Sequence, residues 1–219
     1  IYGGLLIAPN TKATMVLNPN SNYLSLQASS EAVEFAGALL ADCNVNLDNS
    51  KDSLAMSVKS AGLYFGTRSV MPNLLLTGGA RHDRITLSLG FEDVAKEQFG
   101  MLGMMAKFKR DKLSRARSID IVVTPSQYIN HNHEWRLDPA RIKIEVDSSR
   151  VDIDRLCVSG PKQSLTISGV ASRERGDSVL IKLDNFDLSP VSMFTSRVGY
   201  DVGARSNGSA TIKSLLHEP

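Results

Sequence analysis

This chain has little of what usually marks an enzyme or a cross-linked secreted module. Of its 219 residues only two are cysteines, Cys43 and Cys157. Neither sits in a C-x-x-C pair or a zinc-type spacing. They read as two separate buried thiols, with a bridge between them as the less favoured alternative. There is one tryptophan, and aromatics make up 6%, so few side chains could stack on bases. Charge of one sign is also missing: 25 Lys+Arg face 23 Asp+Glu, which leaves no nucleic-acid footprint. No run of 18 apolar residues exists to read as a membrane-spanning helix. The first residues, Ile1-Tyr2-Gly3-Gly4, already look like strand and carry no initiator Met or signal peptide. The chain therefore reads as a section of something longer, and missing targeting signals say nothing of the parent.

Catalytic motifs are absent in the same way. There is no G-x-S-x-G, no P-loop and no GxGxxG. Serines are plentiful, but none stands beside a plausible base. Asp152, Asp154, Asp184 and Asp187 fall on alternating or turn positions, where solvation explains them. No catalytic residue, cofactor or metal is expected. The nearest thing to a site is NHNHEWRLDP, Asn130 to Pro139. His131 and His133 would share one side of a strand, but a third ligand would have to come from His82, Asp83 or His217. A metal-dependent hydrolase is the rival this pair raises. The plainer reading is a polar approach to a strand. The densest basic run, Lys107 to Arg117, is broken only by Asp111 among charges of the other sign. It reads as a solvated loop or hairpin tip, with weak contact to anionic lipid headgroups as a second reading.

What the chain does have is period-two alternation almost throughout. ARIKIEVD puts Ile142, Ile144 and Val146 on one face and Arg141, Lys143 and Glu145 on the other. Ile85, Leu87 and Leu89 alternate in RITLSLGF, as do Ile119, Ile121 and Val123 in SIDIVV. Ile153 lies in RVDID, Leu165 and Ile167 in SLTISG, and Val179, Ile181 and Leu183 in SVLIKLD, where Leu180 spoils the polar face. KEQFGMLGMMAKFKR leans to strand because Gly100 and Gly103 count against helix. EAVEFAGALLADCNVN could start as a helix, and DLSPVSMF is the best short helix, with Ser189 as cap and Pro190 at the first turn. Turns are expected at Gly78-Gly79 with Asp83, at Asp147-Ser148-Ser149, after Ser159-Gly160-Pro161, and at Arg173 to Asp177. The Arg175-Gly176-Asp177 triplet matches an integrin-type motif, but its composition is what a hairpin tip needs anyway.

The expected fold is all-β, about a dozen strands with one apolar and one polar face. So much one-sided strand needs a second layer. Two packed sheets or a closed barrel would supply it. A long sheet folded over on itself, its apolar face lining a groove, is a third solution, and an open groove would demand a ligand.

From Trp135 the order of features becomes specific: W-R-L-D-P, the strand RIKIEV, then RVDIDRLCVSG, K-Q-S-L-T-I-S-G, S-V-L-I-K-L-D-N-F-D-L-S-P and Y-D-V-G-A-R-S-N-G-S-A-T-I. This resembles the TamB-like family of the AsmA-type superfamily, the translocation and assembly module proteins, in the form found in Bacteroidetes. Gln163 to Gly169, Leu183 to Leu188, Gly203 to Ile212 and the Trp135–Pro139 lead-in carry the likeness. It covers residues 119–219 best; residues 1–118 agree in texture as a section of the same architecture. Ala204 to Asn207 and the polar HNHE depart from it. The resemblance implies an elongated, taco-like trough with an apolar interior, and a parent anchored in the inner membrane and crossing the periplasm. It implies phospholipid transfer to the outer membrane, and assembly or secretion of outer-membrane proteins with a TamA/Omp85-type partner. The alternating residues Ile85, Leu87, Leu89, Ile119, Ile121, Val123, Ile142, Ile144, Val146, Ile153, Leu165, Ile167, Val179, Ile181 and Leu183 would then line a lipid groove. On pattern alone the same residues also suit an ordinary sandwich core, in a secreted β-sandwich binding or adhesion module.

Overall fold

The protein, seen in a computed structural model, is described over residues 5–35, 37–49, 53–66, 68–130, 133–188 and 204–216. It is all-β, with sixteen strands among the described residues and antiparallel pairing. The one helical element among the described residues is a 3-10 turn, Pro19–Ser21, capped by the Asn18 side chain. Two compact units form, Ile1–Lys107 with Gln127–Asn132, and Phe108–Ser126 with His133–Pro219. The turn of texture expected at residue 118 falls inside the first segment of the second unit.

In the first unit β3 (Tyr23–Phe35), β4 (Ala38–Asp48), β5 (Leu54–Phe65), β6 (Arg68–Arg81), β7 (Arg84–Glu92) and β8 (Gln98–Arg110) pair in sequence order. The short β1 (Leu6–Ile7) and β2 (Lys12–Asn18) both pair with β3 on its outer side, and β10 (Ser126–Asn130) pairs with β8. Cross-strand partners share a face, so the register sorts the side chains. Leu26, Leu47, Met56 and Gly78 form one row, and Ala28, Val45, Val58 and Leu76 the next. Ser25, Asp48 and Ala55 lie on the other side.

A line of irregular positions crosses these strands. Asp42 on β4 and Asn73 on β6 have φ of 47° and 46°, a left-handed backbone that Asp and Asn tolerate best among non-glycine residues. Beside them on β3 and β5, the buried Ser30 and Ser60 turn their hydroxyls onto the backbone. Ser30 Oγ donates to the Ala32 carbonyl (2.9 Å), and Ser60 Oγ donates to the Ala41 carbonyl (2.5 Å) while accepting from the Gly62 N–H (3.2 Å). The hydroxyls take up backbone groups that the interrupted ladder would otherwise leave unpaired.

In the second unit the order is β9 (Arg117–Val123), β12 (Ala140–Glu145), β13 (Arg150–Gly160), β14 (Gln163–Ala171), β15 (Ser178–Asp187) and β16 (Arg205–Lys213). β11 (His133–Leu137) shares the edge of β13 with β12, end to end. The break between them is Asp138-Pro139. Pro139 cannot donate to the ladder; against β14, on its other edge, β13 carries a bulge between Ile153 and Leu156. Asp138 is held there by its N–H to the Cys157 carbonyl (2.9 Å) and by Arg155 (3.9 Å).

Several expectations need correction. The EAVEFAGALL segment does not start a helix: it is the end of β3 and the start of β4, joined through Gly37 at φ 74°. Gly78-Gly79 is not a turn but lies inside β6, where the Leu87 side chain covers Gly78; the turn is His82-Asp83. The basic run is only partly a loop, because Lys107 to Arg110 extend β8 and Arg117 opens β9. Strands outnumber the expected dozen. The short helix at DLSPVSMF lies, from Ser189 onward, outside the described residues.

Candidate functional site: an apolar sheet face

The apolar face of the second unit is built by register. Ile144 stands opposite Ile119 on β9 and Val151 on β13; Ile142 stands opposite Ile121 and Ile153. Beyond the bulge, Leu156 meets Ile167, which meets Ile181; Val158 meets Leu165, which meets Leu183. Val179 meets Ile212 on β16. The face is thus apolar across six strands. The opposite side carries Asp120, Lys143 and Asp152 in one row and Ser164 and Asp184 in another. Lys143 Nζ donates to Glu145 (2.7 Å) there, which holds the lysine pKa up and the glutamate pKa down.

Burial sets this face apart from a core. Val123 and Val179 are buried, but Ile119, Ile121, Ile142, Ile144, Ile153, Leu165, Ile167, Ile181 and Leu183 are only half-buried. Among the described residues no large side chain is fully buried.

Val146 does not belong to the face as expected. It falls in the turn after β12, is 40% exposed, and donates its N–H to the Arg117 carbonyl (3.0 Å). Ile85, Leu87 and Leu89 lie on the first unit, opposite Ala106, Met104 and Leu102. The sequence reading missed Val151, Leu156, Val158, Ala140 and Ile212. Val151 was visible in the alternation of RVDID. Leu156 and Val158 were not, because the bulge moves the apolar parity from odd to even positions.

One end of the face is closed by aromatics. The Trp135 ring lies over Gly160, where a Cβ would come within 3.2 Å of an indole carbon, and meets Phe186 edge-on at 5.5 Å. Phe186 is buried. The neighbouring Glu134 and Arg136 point the other way and pair at 2.8 Å. In the first unit Phe91 roofs Gly100 and packs on Tyr128 at 5.8 Å.

The other features of interest are structural. The Asp177 carboxylate of the Arg-Gly-Asp triplet faces inward, bonded by Ser172 Oγ (2.7 Å) and by Arg150. It is spent on the hairpin rather than presented. Cys43 and Cys157 are free and buried, one in each unit. His131 and His217 lie outside the described residues, and of His133 only the backbone is described. Among the described residues no three His, Cys, Asp or Glu are grouped to hold a metal, and no helix is long and apolar enough to cross a membrane. Comparison with protein-family models, curated proteins and solved structures finds no match to this chain.

Proposed function

We propose that the chain is a non-enzymatic, periplasmic section of a TamB-like cell-envelope protein, in which the apolar sheet faces line a trough for phospholipid acyl chains. The observation that carries this reading is the half-buried apolar face of the second unit, uniform from Ile119 to Ile212 and bearing no charged side chain in its central rows. An acyl chain laid on such a wall gains roughly 0.8 kcal/mol per buried CH₂ without any specific hydrogen bond. A uniform wall also suits movement, since no single position would trap the chain. The sequence-ordered meander supports the same reading over a sandwich, whose two sheets would each cover the other's apolar side. In this reading the parent is anchored in the inner membrane, and a TamA/Omp85-type protein receives it at the outer membrane.

The test is organic extraction of protein purified without detergent, followed by mass spectrometry. Phospholipid in near-stoichiometric amount is expected, and less of it in Leu165→Gln, which puts an amide in the middle of the face. Purified, folded protein that carries no lipid and takes none up from vesicles would sink the transfer role.

A further inference from the structure

We propose that the turn joining β8 to β9 docks on an anionic membrane surface. The turn is framed by its own hydrogen bonds and presents a greasy tip. Asp111 Oδ1 accepts from the Leu113 N–H (3.0 Å), the Ser114 N–H (2.7 Å) and Ser114 Oγ (2.9 Å). Ser114 Oγ accepts in turn from the Ala116 N–H (3.2 Å), and the Asp111 N–H closes the loop onto the Ala116 carbonyl (2.8 Å). This frame holds Leu113 outward at 96% exposure, with Phe108 at 44% behind it on β8.

Around that tip the charge is basic. Arg110, Lys112 and Arg115 are all exposed. Lys109 is paired with Asp120, and Arg117 with Asp147. The one acid within the turn, Asp111, has its carboxylate turned onto the turn's own donors. Lys112 and Arg115, flanking Leu113, take part in no ion pair among the described residues. An exposed leucine between unpaired cations fits a surface that offers negative headgroups over an apolar interior. The turn between β7 and β8 is a built-in contrast. Val94 is 98% exposed there, but its neighbours include Glu92, Asp93 and Glu97, which an anionic surface repels. The docking point does not depend on what fills the apolar sheet face.

The test is co-sedimentation of the whole chain with vesicles of phosphatidylcholine, alone or mixed with phosphatidylglycerol. Binding to the mixed vesicles is expected, and added salt weakens it. K112Q/R115Q lowers the affinity about 25-fold, at about fivefold per charge lost. Leu113→Ser lowers it about tenfold through the lost insertion. Val94→Ser leaves it unchanged. All of these positions are exposed, and circular dichroism verifies that each variant keeps its strands. Equal binding to both kinds of vesicle, or full affinity in K112Q/R115Q, overturns the proposal, because a greasy sheet face would bind that way without the tip. Absence of binding to the mixed vesicles overturns it too, and leaves the tip to an acidic protein partner.

Discussion

Gly100 stands opposite both Phe91 and Tyr128, and any side chain there would overlap the Phe91 ring. Phe91 is one of the few buried apolar residues of its unit, so the ring has little room to retreat. Gly100→Ala is expected to cost about 1–3 kcal/mol, read from the urea midpoint. The cysteines make a second case. Burial pushes the Cys43 thiol pKa up, which keeps it protonated at neutral pH and a poor nucleophile. Alkylation of native protein should be slow at Cys43 and become fast on adding denaturant. Rapid native labelling would mean that the Ser30–Cys43–Ser60 line opens readily. The left-handed Asn73 extends the argument to the backbone. It also donates Nδ2 to the Glu92 carbonyl (2.9 Å). Asn73→Val should cost about 1–3 kcal/mol, from a β-branched residue at positive φ together with the lost bond.

At the scale of elements, the β9 and β12 ends are tied by Asp147. It accepts from the Arg117 N–H (2.7 Å), Nε (3.0 Å) and Nη2 (2.6 Å). The Arg117 hydrogen bonds hold its carboxyl below the usual carboxylate range, and those same bonds raise the arginine. A depressed folded pKa means that the unfolded chain binds the proton more readily. The tie is therefore fully present above the unfolded carboxylate pKa of about 3.9 and is lost as pH falls through the lower folded value. Thermal melts of wild type and Asp147→Asn should differ modestly at neutral pH and converge in acid. Much of this element-level order was legible beforehand. RIKIEV, SLTISG and SVLIKL alternate so regularly that the two faces of each strand follow, and the turns at Asp147-Ser148-Ser149 and at Arg173 to Asp177 mark two of the hairpins. What alternation could not reveal was where it breaks. The bulge at Asp154-Arg155 shows only in the pairing of β13 with β14, and Gly78-Gly79 reads as a turn until Leu87 is seen to cover it. The candidate face was half legible for the same reason: residues could be assigned to a side, but whether another layer lies over that side is a tertiary fact.

At the scale of the whole molecule, the apolar rows of both units are half-buried. A protein with a sealed core binds little of a hydrophobic dye until it unfolds. On the proposed lipid-binding reading, this chain, extracted with organic solvent or purified without lipid, should bind such a dye in its native state and release it when phospholipid is added. Native protein that stays dark while its strand circular dichroism is intact would mean that the faces are sealed.

The strand order has a further consequence, for how the chain folds. From β3 to β8 and again from β12 to β15, each strand pairs with its sequence neighbour, so the main pairings close over short loops. Such a chain has low contact order and can zip up from any hairpin, with stability summed from one neighbour to the next. Interior strands such as β5 and β14 are secured on both sides. Among the described residues β2 is paired only with β3, and every one of its residues is exposed. Among them too, β16 is paired only with β15 and is nearly as exposed. Amide hydrogen exchange should therefore be graded, slowest in β5 and β14 and fastest in β2 and β16, in place of one rate shared by the whole sheet.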